Sequence, residues 1–437
     1  MEGAVNASRA TDWRNWAGNQ QAATRVARPG STDELAEIIK GSAGERIKPV
    51  GSGHSFTDIA VTDGIRLNVT ALAGPVDVDR ERRQVTVPAG MTLATLNALL
   101  ATHGLALPNL GDIDAQTIAG AISTGTHGTG AAYGCLSTFV AGLTLVTGTG
   151  EVLRCDTDSN PEVFAAARVG LGALGVLTEV TLQCVDAFIL RAHERPGRLA
   201  DVLSGWPALV AENDHCDLYW FPYTDRVQVK TNNRVAADDR PLPGWRGWLD
   251  DDFLANTVFG GVCRLGRAVP AAVGPINAVS ARALTERVYT GRSDAVFCTP
   301  RRVRFMEMEY GLPRDAFPTM LGELPRIIDR LPFKVQFPVE VRFTAADDIP
   351  LSHGYGRDSV YVAVHQFAGA PYEPYFRAVE RLARDLGGRP HWGKLHYRDA
   401  ESLRPVYPLF DEFVALRDRL DPNRVFANAY TERVLGS

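Results

Sequence analysis

The sequence predicts an α+β protein of at least two domains, and three observations lead to this fold class. The chain has 437 residues, 45% hydrophobic and 22% charged, which is the composition of a globular protein with large cores. Residues 31 to about 184 alternate short helix and strand patterns in a loop-rich region. The composition shifts after Cys184, and longer strand patterns follow, so a second, sheet-containing domain is expected.

Helix and strand signals follow one another through the first 184 residues. Ser31, with Glu34 three residues later, predicts the start of a helix that runs to about Gly44. Strands are predicted over 64–72, 84–88 and 177–184, a hairpin over 143–154, and helices over 92–102 and 161–167.

The second half carries stronger strand patterns. An aromatic hairpin is predicted over 218–230, a loop over 236–248, strands over 334–344 and 359–367, and a helix over 372–386. In 334–344 the odd positions are apolar, so period two places Gln336, Glu340 and Arg342 on one face. That face is either a solvent-facing sheet surface or the floor of a ligand pocket.

Charge, cysteine spacing and hydropathy exclude several classes of protein. The 46 Lys+Arg and 51 Asp+Glu are interspersed without a basic run, which argues against a nucleic-acid partner. Six scattered cysteines without a CxxC pair argue against disulfides and zinc. The most apolar later stretch, 253–276, is broken by Arg264, Arg267 and Pro270. No signal peptide or membrane span is therefore expected, and a cytoplasmic protein is the default.

Two loops of small residues carry the most specific chemistry. The first, PVGSGHSF over 49–56, joins a predicted helix to a predicted strand and contains two glycines, serines and a histidine. Glycine permits close backbone approach and leaves amides exposed as donors to an anion. A second run over 119–130 repeats this chemistry. Two such loops indicate a diphosphate cofactor held from both sides.

Three further motifs have alternative interpretations. The GxGxxG match over 170–175 has a helix before it and a strand after it, the reverse of a dinucleotide-binding Rossmann turn. His54 is either a turn residue or, as a neutral imidazole, a nucleophile for covalent attachment to a cofactor. His391 and His396 are five residues apart and share neither a helix face nor a strand face, so no metal site is expected. Lys394 between them is a candidate cation facing a ligand.

Six motifs, in order along nearly the whole chain, carry a family resemblance. They are PVGSGHSF, NLGDIDAQTIAGAISTGTHGTG over 109–130, FMEMEY over 305–310, VEVRF over 339–343, HWGK over 391–394 and ANAY over 427–430. They resemble the aldonolactone oxidoreductases, vanillyl-alcohol-oxidase-type FAD flavoproteins that include gulonolactone, arabinonolactone and alditol oxidases. The chain departs from the animal and fungal pattern at Gly393, where alanine is common.

The resemblance implies a domain organisation and a cofactor. A two-subdomain FAD-binding domain would span 1–184, a cap domain built on an antiparallel sheet with helices 185–395, and a C-terminal segment returning to the flavin site 396–437. His54 matches the histidine that is covalently bonded to the flavin 8α carbon in many members. The residues implied in FAD binding are Pro49, Val50, Gly51, Ser52, Gly53, His54, Ser55, Asn109, Gly111, Asp112, Thr117, Gly120, Ser123, Thr124, Gly125, His127, Gly172, Leu177 and His391.

The resemblance also implies a reaction and the residues that face its substrate, Glu340, Arg342, Lys394 and Glu309. A sugar-derived 1,4-lactone of the L-gulono or D-arabinono type would deliver hydride to flavin N5, with O2 as acceptor giving H2O2. Gly111 aligns beside the flavin C4a–N5 edge, where the lack of a Cβ leaves the approach of oxygen open. The alternatives are an alditol oxidase acting on a polyol, a dehydrogenase using an artificial or cellular acceptor, and a flavin-carrying protein without turnover.

Overall fold

The computed structural model describes residues 8–42 and 44–437, whose strands fall into four sheets. Two larger sheets and a two-stranded one lie in the first 186 residues, and an eight-stranded sheet uses residues 189–390. The predicted α+β class, with a two-part N-terminal region and an antiparallel cap sheet, is confirmed. No helix in the described ranges combines the length and the apolarity needed to cross a bilayer.

The first sheet ends at the glycine loop that the sequence singled out. Its strands are β1 (Ser8–Arg14), β2 (Gln21–Ala27), β3 (Ile47–Val50) and β4 (Ile65–Asn68), in the spatial order β1-β2-β4-β3. Helix α1 (Thr32–Lys40) joins β2 to β3, and the Ser31 side chain accepts from the Glu34 amide, so the expected N-cap is confirmed. The strand predicted over 64–72 stops earlier, because the chain enters a 3-10 turn at Val69.

The second sheet supplies the other wall of the N-terminal region. The strands of this part are β5 (Asp77–Asp79), β6 (Gln84–Pro88), β7 (Leu105–Ala106), β8 (Val140–Val146), β9 (Val152–Cys155), β10 (Val176–Gln183) and β11 (Val185–Asp186). Five of them form a sheet in the order β5-β6-β10-β8-β9, and β7 pairs with β11. Helices α2 (Leu93–Thr102), α3 (Ile118–Ser123) and α4 (Pro161–Ala167) share its core. Because α4 precedes and β10 follows 170–175, the GxGxxG match is not a Rossmann turn.

The eight-stranded cap sheet is antiparallel throughout. Its strands, in the spatial order β15-β12-β14-β13-β17-β18-β16-β19, are β12 (Ile189–Arg198), β13 (His215–Trp220), β14 (Arg226–Val235), β15 (Arg287–Arg292), β16 (Phe305–Pro313), β17 (Val339–Thr344), β18 (Ser359–Phe367) and β19 (Arg389–Pro390).

Three helices cover one face of the central strands of the cap sheet. The helices of this half are α5 (Leu199–Ala211), α6 (Gly244–Gly247), α7 (Phe259–Ala268), α8 (Val273–Arg282), α9 (Ser293–Phe297), α10 (Phe317–Asp329) and α11 (Glu373–Asp385). Apolar side chains of α5, α10 and α11 pack against Val339, Val341 and Phe343 of β17 in one core. The opposite face of β17 therefore turns Glu340 and Arg342 towards the N-terminal region.

The predictions for two segments of the cap are wrong in detail. The strand predicted over 334–344 begins only at Val339, because Pro338 lacks the amide that a ladder needs. Gln336 consequently does not share a face with Glu340 and Arg342 but lines a separate small cavity with Cys263. All six residues of β17 are buried, so the solvent-facing interpretation is also wrong. The loop predicted over 236–248 gives way to helix at residue 244, and the helix is π-helical over Trp248–Val258.

The C-terminal segment folds back onto the N-terminal region. Helices α12 (Ala400–Leu403), α13 (Phe410–Leu420) and α14 (Ala429–Leu435) pack into the core of the second sheet. After α13, the Asp421 carboxylate accepts from the amides of Val425 and Phe426, both at 2.8 Å. The Val425 carbonyl in turn accepts from the Ile47 amide at 2.7 Å, which fastens the segment beside β3.

We expect Asp421→Ala to lower the free energy of unfolding of the holoprotein by about 3 kcal/mol, since two buried amides lose a charged acceptor. Urea denaturation measures the change. Asp411→Ala is the control, because Asp411 pairs with Arg404 where both side chains are more than half exposed. It should change stability by less than about 0.5 kcal/mol. Equal losses in both variants would contradict the fastening role of Asp421.

Candidate active site

A cleft of about 830 Å³, its open mouth included, is lined by residues of both larger N-terminal sheets and of α3. The structure brings thirteen of the nineteen predicted cofactor residues into its wall: Pro49, Val50, Gly51, Ser52, Gly53, His54, Ser55, Thr117, Gly120, Ser123, Thr124, Gly172 and Leu177.

The two predicted anion loops meet inside this cleft. A Cβ on Gly51 would lie 2.2 Å from Thr117 Oγ1, so only glycine fits there. Gly53 has φ +72°, in the left-handed region that favours glycine. Within the described ranges, the amides of residues 52–55 donate to no other main-chain group. They remain available to an anion, and this row of donors fits a diphosphate.

Sequence reasoning missed several residues of the same wall, among them Lys48, Trp13, Gln116, Leu171 and Gly175. Lys48 is fully buried, and its Nζ donates to the Phe426 carbonyl at 3.0 Å. Burial lowers the pKa of Lys48 to about 7, although Asp421 and Asp58 oppose the shift. No sequence signal distinguishes Lys48 from a solvent-facing lysine, because its carbonyl partner is 378 positions away.

His54 stands at the edge of the cleft with its ring stacked on Trp16 at a centroid distance of 5.8 Å. Burial, and then the nearby Lys394 ammonium, lower the pKa of His54 below its ordinary value. The imidazole is therefore neutral at pH 7, which is the form that acts as a nucleophile.

Six predicted cofactor residues lie outside the lining of the cleft: Asn109, Gly111, Asp112, Gly125, His127 and His391. Asn109 is buried, and its amide donates to the Thr129 carbonyl at 3.0 Å, which braces the second loop. A Cβ on Gly125 would lie 2.7 Å from the His353 ring, so this glycine allows a close contact with the cap. His127 and His391 face Glu309, as described below.

Gly111 and Asp112 line a neighbouring cavity of about 360 Å³, its opening included, that reaches the cap sheet. Asp217, Tyr219 and Arg342 form part of its opposite wall. The loop that resembles a flavin-edge segment thus faces the predicted substrate strand directly.

The polar face of the cap sheet carries charges in register across five strands. Cross-strand pairs run from Arg287 to Glu194, Lys230, Asp217 and Arg342, so positive and negative side chains alternate from β15 to β17. Directly opposed charges of unlike sign stabilise adjacent strands. Sequence reasoning had found only the last member of this row.

Arg342 is held by three carboxylates. Its guanidinium lies 2.5 Å from Glu340 Oε1, 3.2 Å from Asp217 Oδ1 and 3.5 Å from Asp112 Oδ2. Burial would raise the pKa of Asp112, but Arg342 and then Arg301 lower it well below its ordinary value. Burial raises the pKa of Asp217 to about 6, although Arg342 opposes the shift. Asp217 and Arg301, both missed from the sequence, thus belong to the site.

Lys394 pairs with a carboxylate that sequence reasoning had passed over. Its Nζ lies 2.5 Å from Glu307 Oε2, and His365 Nε2 lies 3.4 Å from the other oxygen. Burial opposes ionisation of Glu307, but Lys394 and then His365 lower the pKa of Glu307 to about 2. Glu307 could have been predicted from the sequence as a site residue, because it lies two residues before Glu309 and therefore on the same face of the strand.

Glu309 faces two histidines. Its Oε1 lies 3.4 Å from His127 Nε2, and the ligand atoms of His127, Glu309 and His391 all lie within 4.8 Å of one another. Burial would raise the pKa of Glu309, but His127 lowers it. These three groups have the spacing of a cation site, whereas His396 turns away to Tyr430 at 3.0 Å. The pairing of His391 with His396 that the sequence raised is therefore not formed.

This arrangement suits a neutral, hydroxyl-rich ligand whose oxygen becomes negatively charged during a reaction. Buried carboxylates supply acceptors for hydroxyl groups, and Lys394 and Arg342 supply fixed positive charge. Such preorganised charge stabilises an oxyanion without reorganising solvent.

Comparisons with known proteins agree with this geometry. A family model described as D-arabinono-1,4-lactone oxidase matches residues 180–434, and one described as an FAD binding domain matches residues 23–156. L-gulono-1,4-lactone dehydrogenase of Mycobacterium tuberculosis is 45% identical over 97% of this chain and 99% of its own length. L-gulonolactone oxidase of Bos taurus is 35% identical over 98% of this chain and 99% of its own length.

A solved structure shares the fold. Cholesterol oxidase from B. sterolicum superposes with a TM-score of 0.84 over 98% of both chains, at 19% sequence identity. At this identity the likeness concerns the vanillyl-alcohol-oxidase type of fold alone.

We expect Gly51→Ala to purify with much less bound flavin than wild type, because the added Cβ would push the glycine loop away from Thr117. The ratio of flavin to protein absorbance measures occupancy. Gly205→Ala is the matched control, since Gly205 is exposed and a Cβ there meets nothing within 4 Å. Full occupancy in Gly51→Ala would contradict the assignment of the cleft to the cofactor.

Proposed function

This chain belongs to the D-arabinono-1,4-lactone oxidase family of FAD-dependent oxidoreductases, and on that basis we propose that it oxidises a 1,4-lactone of the L-gulono or D-arabinono type. The names of its relatives, a gulonolactone dehydrogenase and a gulonolactone oxidase, support this substrate class. The observation that carries the proposal is the presence of two ion pairs, Lys394 with Glu307 and Arg342 with Glu340, on the side of the cap that meets the cleft.

The cleft residues fit FAD. The main-chain amides of 52–55 and the small residues of α3 offer donors and space for its diphosphate. When bound there, FAD supplies the two-electron acceptor of the reaction.

The cap residues bind and polarise the lactone. Lys394 and Arg342 stabilise the negative charge that develops on the substrate oxygen, since both cations are held in place by carboxylates. Glu340, which accepts from Tyr219 at 2.9 Å, orients a neighbouring hydroxyl.

We expect Lys394→Ala, Arg342→Ala and Glu340→Gln each to slow anaerobic bleaching of the flavin by L-gulono-1,4-lactone by about a hundredfold or more, because each removes a group that acts on the reacting substrate. Stopped-flow absorbance measures the rate at unchanged flavin content. Lys334→Ala is the control, since Lys334 is exposed and lies before the first residue of β17. Wild-type rates in all three variants would refute the substrate assignment, and faster bleaching by xylitol than by lactones would favour an alditol oxidase.

We propose that FAD is bonded covalently through His54, because this imidazole is neutral and lies in the glycine loop of the cleft. After acid precipitation, the yellow colour should stay with the wild-type pellet and leave with the supernatant for His54→Ala. Release of all flavin from wild type would refute the bond without affecting the FAD assignment.

We propose oxygen as the electron acceptor, because Gly111 has no Cβ at the position that aligns with the flavin edge. The relatives divide on this point, one being named a dehydrogenase and the other an oxidase. An alanine at 111 fits with a small shift, since its Cβ would lie 3.3 Å from the His127 carbonyl. Substrate-reduced wild type should reoxidise within seconds in air-saturated buffer, and Gly111→Ala should reoxidise more slowly. A wild type that stays reduced for minutes would instead make the enzyme a dehydrogenase.

A further inference from the structure

Exposed apolar side chains are concentrated in one part of the cap. Ten large apolar side chains are exposed in the described part of the chain, and eight of them lie between residues 245 and 279. Trp245 is 67% exposed and Trp248 58% exposed, which is unusual for the residue with the largest apolar surface. The eight are Trp245, Trp248, Phe253, Leu254, Val258, Leu265, Val269 and Val279.

The helical run over 244–268, of which α7 is the last part, presents six of these residues outward. Leu254, Val258, Leu265 and Val269 are separated by four, seven and four positions, the spacing of one helix side. Small buried residues, Gly260, Cys263 and Gly266, occupy the inner side. An ordinary surface helix exposes mainly polar side chains, whereas this one also exposes apolar side chains beside Arg264 and Arg267.

The charges of the region leave its outer side positive. Residues 240–282 contain five arginines and three aspartates, in a chain with a net charge of −5. The aspartates turn inward, where Asp250 and Asp251 pair with Arg287 and Asp252 pairs with Arg302. Arg240, Arg264 and Arg282 are exposed and have no carboxylate partner among the residues that the structure describes.

We propose that this outer cap face, residues 240–282, docks on an anionic lipid surface. Tryptophan favours the boundary between headgroups and acyl chains, and an apolar helix side flanked by arginines is the pattern of a helix lying in that boundary. A second copy of the chain is the alternative occupant, which the experiment distinguishes.

Docking in this orientation leaves the catalytic machinery intact. The outer cap face shares no residue with the cleft lining or with the group around Arg342 and Lys394. Its variants therefore test membrane binding separately from the proposed reaction.

Co-sedimentation of the holoenzyme with vesicles tests the proposal. Wild type should pellet with vesicles of phosphatidylcholine mixed with an equal amount of phosphatidylglycerol, but not with phosphatidylcholine alone, and added salt should weaken binding. Trp248→Ser/Leu265→Ser should bind at least about tenfold more weakly. The control Val76→Ser/Val152→Ser removes the two exposed apolar side chains outside the face and should bind like wild type. Flavin bleaching by lactone should be unchanged in both variants.

Three results would overturn the proposal. The first is absence of wild-type binding to anionic vesicles, and the second is equal loss of binding in the two double variants. The third is a wild-type dimer in equilibrium sedimentation that Leu265→Asp dissociates, without vesicle binding, which would assign the face to a second copy.

Discussion

The alternation of side chains along the cap strands is the constraint on which the candidate site depends. Because successive residues point to opposite faces, one face of β17 buries Val339, Val341 and Phe343 against helices, while the other holds Glu340 and Arg342 away from bulk water. Buried ions are tolerated only when paired. The row from Arg287 to Arg342 meets this requirement by alternating sign across five strands, and removal of a single member would leave a buried charge uncompensated.

A second constraint acts across the cleft. The 51–55 loop belongs to the first sheet and Thr117 to the start of α3, and their contact leaves no room for a side chain at Gly51. The C-terminal segment braces the same place. The Phe426 carbonyl accepts from Lys48 in β3, and the Asp421 carboxylate holds the neighbouring Val425 amide. The cleft is thus built by three parts of the chain that are distant in sequence.

Together these constraints set the electrostatic character of the site. Lys394 and Arg342 are permanently charged because carboxylates surround them, whereas His54 is kept neutral by burial. In the proposed function, the cationic pair would stabilise an oxyanion and the neutral imidazole would attach the cofactor. Environment, rather than residue type, makes this separation of roles possible.

The sequence by itself determined the α+β class, most helices and strands, the two glycine loops and the family, because capping, periodicity and glycine requirements are local in the chain. It also indicated Glu340, Arg342 and Lys394 through motifs. It did not indicate Glu307, Asp217, Arg301 or Lys48, whose partners lie on other strands and segments. Nor did it fix the start of β17 or the outward turn of the helix over 244–268. Only tertiary structure decided these, because burial, charge pairing and exposure depend on which distant segments meet.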